Sequence, residues 1–307
     1  INTSKSLMLP LILFFFSSLV LSMICLFFFG KDSNRFLPLS LVIISFVSFE
    51  VLNFFYNLCL HKVSKPESQG AVSNLGWAAG YVGGLLSLLL IFLFLQFTNS
   101  QDYEFLGISS FLYIGPFVAI WCMLFGLTHL RNFKNTSFSI PAMKNVLIDL
   151  KNSNLPRFLV SYFFFNNGVV CIFVFASMFA SLLFGLKETQ ILLMGVFINL
   201  SGVLGCLLIG SVDDKVGSEK IVIMCSSALF LLISLLFFIN SINFFWVIAI
   251  MIGFFVGPIQ ASSRSVVAKN SKNKNQAVSF SILTVFGNLC SIFGPLLVGI
   301  IIELSGM

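Results

Sequence analysis

Hydrophobic positions along this 307-residue chain show no period-two alternation; they fill whole stretches, broken by short polar segments. An apolar run of roughly 18 or more residues is long enough to cross a bilayer core of about 30 Å as a helix. Nine such runs are present, at residues 7–30, 36–60, 75–97, 105–129, 158–183, 191–210, 221–239, 244–261 and 280–302. They predict an all-α, polytopic transmembrane helical protein and give no support to a β-barrel, whose strands would alternate. The chain starts at Ile1 and stops at Met307, just beyond the last run, and reads as a piece lacking sequence at both ends.

The polar residues inside these runs carry the chemistry. Glu50 is the one acid well inside a span, and Asn53 and Asn57 follow it at i+3 and i+7 on the same helical face. A charge at that depth costs about 2.5–3.5 kcal/mol on insertion scales, which points to a proton or substrate site. The bland alternative is a carboxyl hydrogen-bonded to a neighbouring helix. Asn166 and Asn167, adjacent in the fifth run, are cavity candidates because unpaired amides are costly in lipid. Asn199 is expected to bond to a neighbouring helix.

Between residues 253 and 299 a membrane helix, a short basic loop and a second helix follow one another. Gly253 and Gly257 lie one turn apart and invite close helix packing. Pro258 is expected to break the hydrogen-bond ladder just before Gln260, Ser262, Ser263 and Arg264. Arg264 then ends its helix, either as a gate or as a simple positive anchor. Ser281, Thr284, Asn288 and Ser291 form a polar stripe on the last helix. Gly76, Gly80 and Gly84 make a similar packing groove on the third run, Ser73 is placed to cap it, and Trp77 and Tyr81 suit the membrane interface.

The loop at 210–220 reads GSVDDKVGSEK. Gly210 is suited to ending a helix, Gly217 to a tight turn, and Asp213 or Asp214 to capping the next helix. Asp214 beside Lys215 offers a charge pair able to serve as a latch if helix ends shield it from water.

Composition agrees with the pattern. The chain is 58% hydrophobic and 9% charged, outside the range of soluble domains. Of its 17 Lys and Arg residues, 14 fall on one side of the spans and three (Lys31, Arg35, Lys187) on the other, which places the larger set in the cytoplasm. The net charge of +6 is therefore a topology signal and implies no nucleic-acid partner. The seven cysteines and two histidines show no metal-ligand spacing, so neither a metal nor a cofactor is expected. No nucleophile set or phosphate-cradling loop is present in the sequence, which argues against an enzyme or an ATP-driven pump. The expected organisation is a first helical block at 1–130, a basic cytoplasmic connector at 131–157 with a short surface helix at 143–150, and a second block at 158–307.

Gly210-x-x-x-Asp214-Lys215-x-Gly217 resembles the cytoplasmic signature of the major facilitator superfamily, with Ser218-Glu219 where basic residues are usual. FYNLCL (55–60), VSNLGWAAGYVGG (72–84), FFFNNG (163–168), GPIQASSRS (257–265) and FGPLLVG (293–299), in this order, resemble its vacuole-effluxer-like branch. The resemblance implies a two-bundle, twelve-helix fold, of which this chain would hold the third to eleventh helices. It also implies a secondary transporter moving a small polar solute, such as an amino acid, by alternating access, with efflux as the direction. Glu50, Asn53, Asn57, Asn166, Asn167 and Gln260 would bind substrate or protons, and Asp214, Lys215, Arg264 and Asn288 would gate. Similar proteins often carry Asp at position 167 and Lys at 288, which suggests that Asn167 and Asn288 touch as an amide pair. The implied partners are a small-molecule substrate, the lipid bilayer and protons, for a monomer in a bacterial inner membrane. The alternative is a non-transporting receptor or assembly factor built on a transporter fold, which would have less need of the intramembrane polar residues.

Overall fold

The computed structural model describes residues 8–29, 36–97, 104–105, 108–130, 155–239, 241–271 and 276–305. The connector and the surface helix expected at 143–150 lie outside the described residues. The helices are α1 (Met8–Phe29), α2 (Phe36–Val63), α3 (Gln69–Phe97), α4 (Ile114–Leu130), α5 (Leu155–Phe184), α6 (Glu188–Val216), α7 (Ser218–Leu236), α8 (Ile242–Asn270) and α9 (Gln276–Ser305). Eight of these are long and apolar enough to cross a membrane, and α4 contributes a shorter apolar stretch, Ile114–Thr128. The protein is all-α and polytopic, as its hydrophobic runs require.

The fourth run differs from expectation. Residues 104–109 contain a minimal antiparallel pairing of β1 (Glu104–Phe105) with β2 (Ile108–Ser109), and Ser110–Tyr113 form a 3-10 turn before α4. Pro116 falls in the first turn of α4. Proline is tolerated there because those N–H groups have no helical acceptor.

The chain divides into two compact units, Ile1–Asn57 with Leu86–Ile140, and Leu58–Leu85 with Pro141–Met307. In the first, α1 packs on α4 around Leu19, Val20 and Ala119. In the second, α8 is the central element. Its packing with α6 and α7 is the most extensive, and a core of Ile209, Ile221, Val222, Cys225, Ile252, Val256 and Ile259 fills the space among the three.

Small residues set the α6–α8 distance. A methyl carbon on Gly205 would lie 1.9 Å from the Phe254 carbonyl oxygen, and one on Gly253 would lie 2.6 Å from that of Ile198. No side chain fits at either position, so the two backbones meet directly, as the Gly253 and Gly257 spacing foretold. Ser201 Oγ adds a hydrogen bond to the Ile250 carbonyl at 2.7 Å. The groove expected along α3 behaves differently: a methyl carbon on Gly80 would meet nothing within 4 Å, and one on Gly84 only Asn199 Oδ1 at 3.9 Å. Tyr81, expected at the interface, wedges instead against Gly202 and Gly257.

Two expected helix ends are also corrected, and the turn expected at Gly217 is present. α8 runs unbroken through Pro258 to Asn270, so Arg264 sits inside the helix. α6 continues past Gly210 to Val216, because its last turn is held by neighbouring helices through Asp213 and Asp214. The turn to α7 falls at Gly217, whose φ of 100° suits glycine.

Candidate functional site

At one end of the second unit, the first turns of α3 meet the last turn of α6, the start of α7 and the last three turns of α8. A chain of polar contacts joins them. α3 starts after a 3-10 turn at Pro66–Ser68. Its first N–H groups have no acceptor within the helix, and the helix dipole makes that end electropositive. The Asp214 carboxylate supplies the acceptors, with Oδ1 taking the Gly70 N–H and Oδ2 the Ala71 N–H, both at 2.8 Å. An acid 144 residues away therefore does the work of an N-cap. Gly70 makes the approach possible, since a methyl carbon there would lie 2.4 Å from Asp213 Oδ1 and 2.8 Å from Asp214 Oδ1.

The positive partner of Asp214 is Lys269 on α8. Its ammonium lies 2.8 Å from Asp214 Oδ1 and 4.0 Å from Asp213 Oδ1, and it donates to Ser218 Oγ at 2.9 Å. Lys215, the partner suggested by adjacency, is exposed, and among the described residues the ion pairs of this cluster go to Lys269 instead. Successive residues on a helix point about 100° apart, so Lys215 turns outward when Asp214 faces α3.

Beneath Asp214 lies Asp213, which is fully buried. Ser218 Oγ donates to its Oδ1 at 2.5 Å. Ser262 Oγ and Asn74 Nδ2 donate to its Oδ2 at 2.5 and 3.0 Å. One carboxylate thus ties α6 to α7, α8 and α3, and a buried carboxylate needs donors of this kind. Asp213 meets the side chain of the first residue of α7 without capping that helix through its N–H groups.

Arg264 occupies the next layer and is 6% exposed. Its Nε donates to Ser73 Oγ at 3.1 Å, while Ser73 Oγ donates to the Ala261 carbonyl at 2.7 Å. Ser265 Oγ donates to the Gln69 carbonyl at 2.9 Å. Ser73 is not a cap, since α3 begins four residues earlier; it is a link to α8. Arg264 is likewise no exposed anchor.

The amides lie elsewhere in the same unit. Gln260 Nε2 donates to Asn166 Oδ1 at 2.8 Å and joins α8 to α5. Asn167 donates to the Phe163 carbonyl at 2.6 Å and to Cys290 Sγ of α9 at 3.3 Å. Among the described residues no hydrogen bond joins Asn167 to Asn288, the pair expected to meet. Asn288 is exposed, because it lies two residues before the buried Cys290 on α9 and points to a different side. Ser281, Thr284 and Ser291 each bond back to the carbonyl four residues earlier, which satisfies them within α9. Asn199 does the same through Gly195, a bond within its own helix where one to a neighbouring helix was expected. Glu50, Asn53 and Asn57 lie half-buried along α2 in the first unit.

Sequence reasoning thus singled out Asp214 and Arg264 but missed Lys269, Asn74 and the roles of Ser73, Ser218 and Ser262. Apart from the Ser218–Asp213 bond, which spans five residues, their partners are 49 to 191 residues distant, beyond any local spacing.

Comparison with known proteins agrees with the resemblance read from the motifs. An uncharacterized MFS-type transporter, YxiO, of Bacillus subtilis is 24% identical over 276 residues, covering 86% of this chain and 64% of that protein. Autophagy-related protein 22 of Yarrowia lipolytica is 27% identical over 173 residues, covering 52% of this chain and 29% of that protein. The chain therefore spans less than two thirds of either relative. Residues 8–307 match the family described as vacuole effluxer Atg22 like. The chain belongs to that family.

Proposed function

We infer that this protein is a secondary transporter for a small polar solute, with amino acids the first candidates, and that it works by alternating access. The observation that carries the reading is the seat of Asp214 on the first turn of α3, clamped by Lys269. These contacts are strong enough to hold a helix end in place, yet polar and close enough to water to be broken and remade. The carboxylate side chain is 17% exposed and the lysine side chain 27%. A static receptor has little use for a reversible clamp at that place. With it closed, α3, α6 and α8 seal one end; with it open, α3 is free to part from α6 and α8.

The family's description as effluxers and the transporter name carried by YxiO support the direction and the class. Glu50 is assigned as the proton or substrate-ammonium partner, with Asn53 and Asn57 beside it. Asn166, Asn167 and Gln260 are assigned to neutral hydrogen bonding of the solute. The end bearing Asp214 is assigned to the cytoplasm on the distribution of lysine and arginine. Reconstitution of the full-length protein in liposomes loaded with radiolabelled amino acids tests the reading. Wild type should release at least one amino acid, and Asp214→Asn should slow release several-fold. Release from wild type no faster than from empty liposomes would contradict it.

A further inference from the structure

Asp214 occupies the position that the superfamily signature requires, but Asp213 does not. In Gly210-x-x-x-Asp214 it falls on an unconstrained place, and Ser218 stands where a basic residue is usual. These two departures meet in space, since Ser218 Oγ donates to Asp213 Oδ1 at 2.5 Å. A basic side chain at 218 would compete with Lys269, which already donates to Ser218 Oγ and lies 4.0 Å from Asp213. Serine brings a donor without a second charge.

Asp213 divides its partners in an informative way. Ser218 and Ser262 belong to α7 and α8, so their bonds bracket the carboxylate among the elements of the second helical block. Asn74 alone comes from α3. Its Nδ2 also donates to the Gly70 carbonyl at 2.9 Å, which fixes the amide against its own helix. Its Cβ is packed so tightly that a methyl carbon on Gly210 would lie 2.4 Å from it. Asn74 is fully buried, and its Oδ1 has no hydrogen-bond partner. The amide is therefore held for the sake of what its nitrogen gives, although burying the oxygen without a donor opposes the closed arrangement.

We propose that Asp213 and Asn74 form a second, inner lock beneath the Asp214 latch, with Asp213 as a positioning residue. The inference rests on the latch reading above. Asp214, nearer water, releases first. The Asp213–Asn74 bond sets how readily α3 then leaves, and water reaching the unpaired Asn74 oxygen makes the departure reversible. A mere brace would need only Ser218 and Ser262, and would be indifferent to Asn74.

The test is a distance measurement between spin labels at Glu67, just before α3, and Val216, at the end of α6, in the full-length protein in lipid nanodiscs. Both positions are exposed. Asn74→Ala leaves the bracketing serines in place and should raise the open-to-closed ratio about tenfold, the weight of one hydrogen bond to a carboxylate. A lowered melting temperature in Asn74→Ala with an unchanged distance distribution would show a brace only and overturn the inner lock. If Asp214→Asn widens the distance and Asn74→Ala does not, the latch stands and the inner lock falls. If neither changes it, both fall.

Discussion

The second unit has two polar regions that handle the same problem in opposite ways. At the end of α3, two carboxylates, a lysine and a buried arginine are gathered with four serines, an asparagine and two backbone N–H groups. In the middle of α5, the polar side chains are neutral: Asn166 with Gln260, and Asn167 with Cys290. Charge is tolerable at the helix ends because free N–H groups, the dipole of α3 and nearby water share the task of stabilising it. Deeper in a span only the neighbouring side chains are available, and an amide is far less costly than an ion. Charged groups therefore suit a clamp that opens, and neutral amides suit a surface that a solute passes.

This contrast sets the order of expected effects. The helix contact beneath both regions should be least forgiving. Gly205→Val forces atoms into the Phe254 carbonyl and should lower stability by about 3 kcal/mol, read as a fall in the melting temperature in detergent. An unchanged melting temperature would mean that α6 and α8 are not in backbone contact. At the charged end, Ser73→Ala removes the oxygen that accepts from Arg264 and donates to Ala261, at a cost of about 2 kcal/mol. Among the neutral amides the effect should be smaller. A double-mutant cycle with Asn166→Leu and Gln260→Leu should give a coupling of about 0.6 kcal/mol, typical of hydrogen bonds within membranes. A coupling above that of the Ser73–Arg264 pair would reverse the comparison.

The two regions also differ in how far they could be read in the sequence. The helices were legible because bilayer thickness fixes their length, and eight of the nine apolar runs are membrane-length helices in the structure. Asp214 was legible because glycines frame it at fixed spacing. Its partners were not, since Lys269 and Gly70 are joined to it by folding and not by proximity in the chain. Lys215 was the natural choice for a local reading, and the helical turn between residues 214 and 215 is what defeats it. Arg264 was placed at a helix end because proline usually stops a helix. Here α8 continues through Pro258, and its neighbours bury nine of the next ten residues, all but Gln260. Asn288 was read from a missing charge, and the geometry of α9 gives the contact to Cys290 instead.

The central claim is that the Asp214 carboxylate holds the first turn of α3. Hydrogen–deuterium exchange of the Gly70 and Ala71 amides tests this most directly, because these are the two groups the carboxylate accepts from. In wild type both amides should be protected. In Asp214→Asn their exchange should speed up by about tenfold, on the order of one helix cap. Equal exchange in the two proteins would mean that Asp214 does not hold α3, and the latch would have to be abandoned.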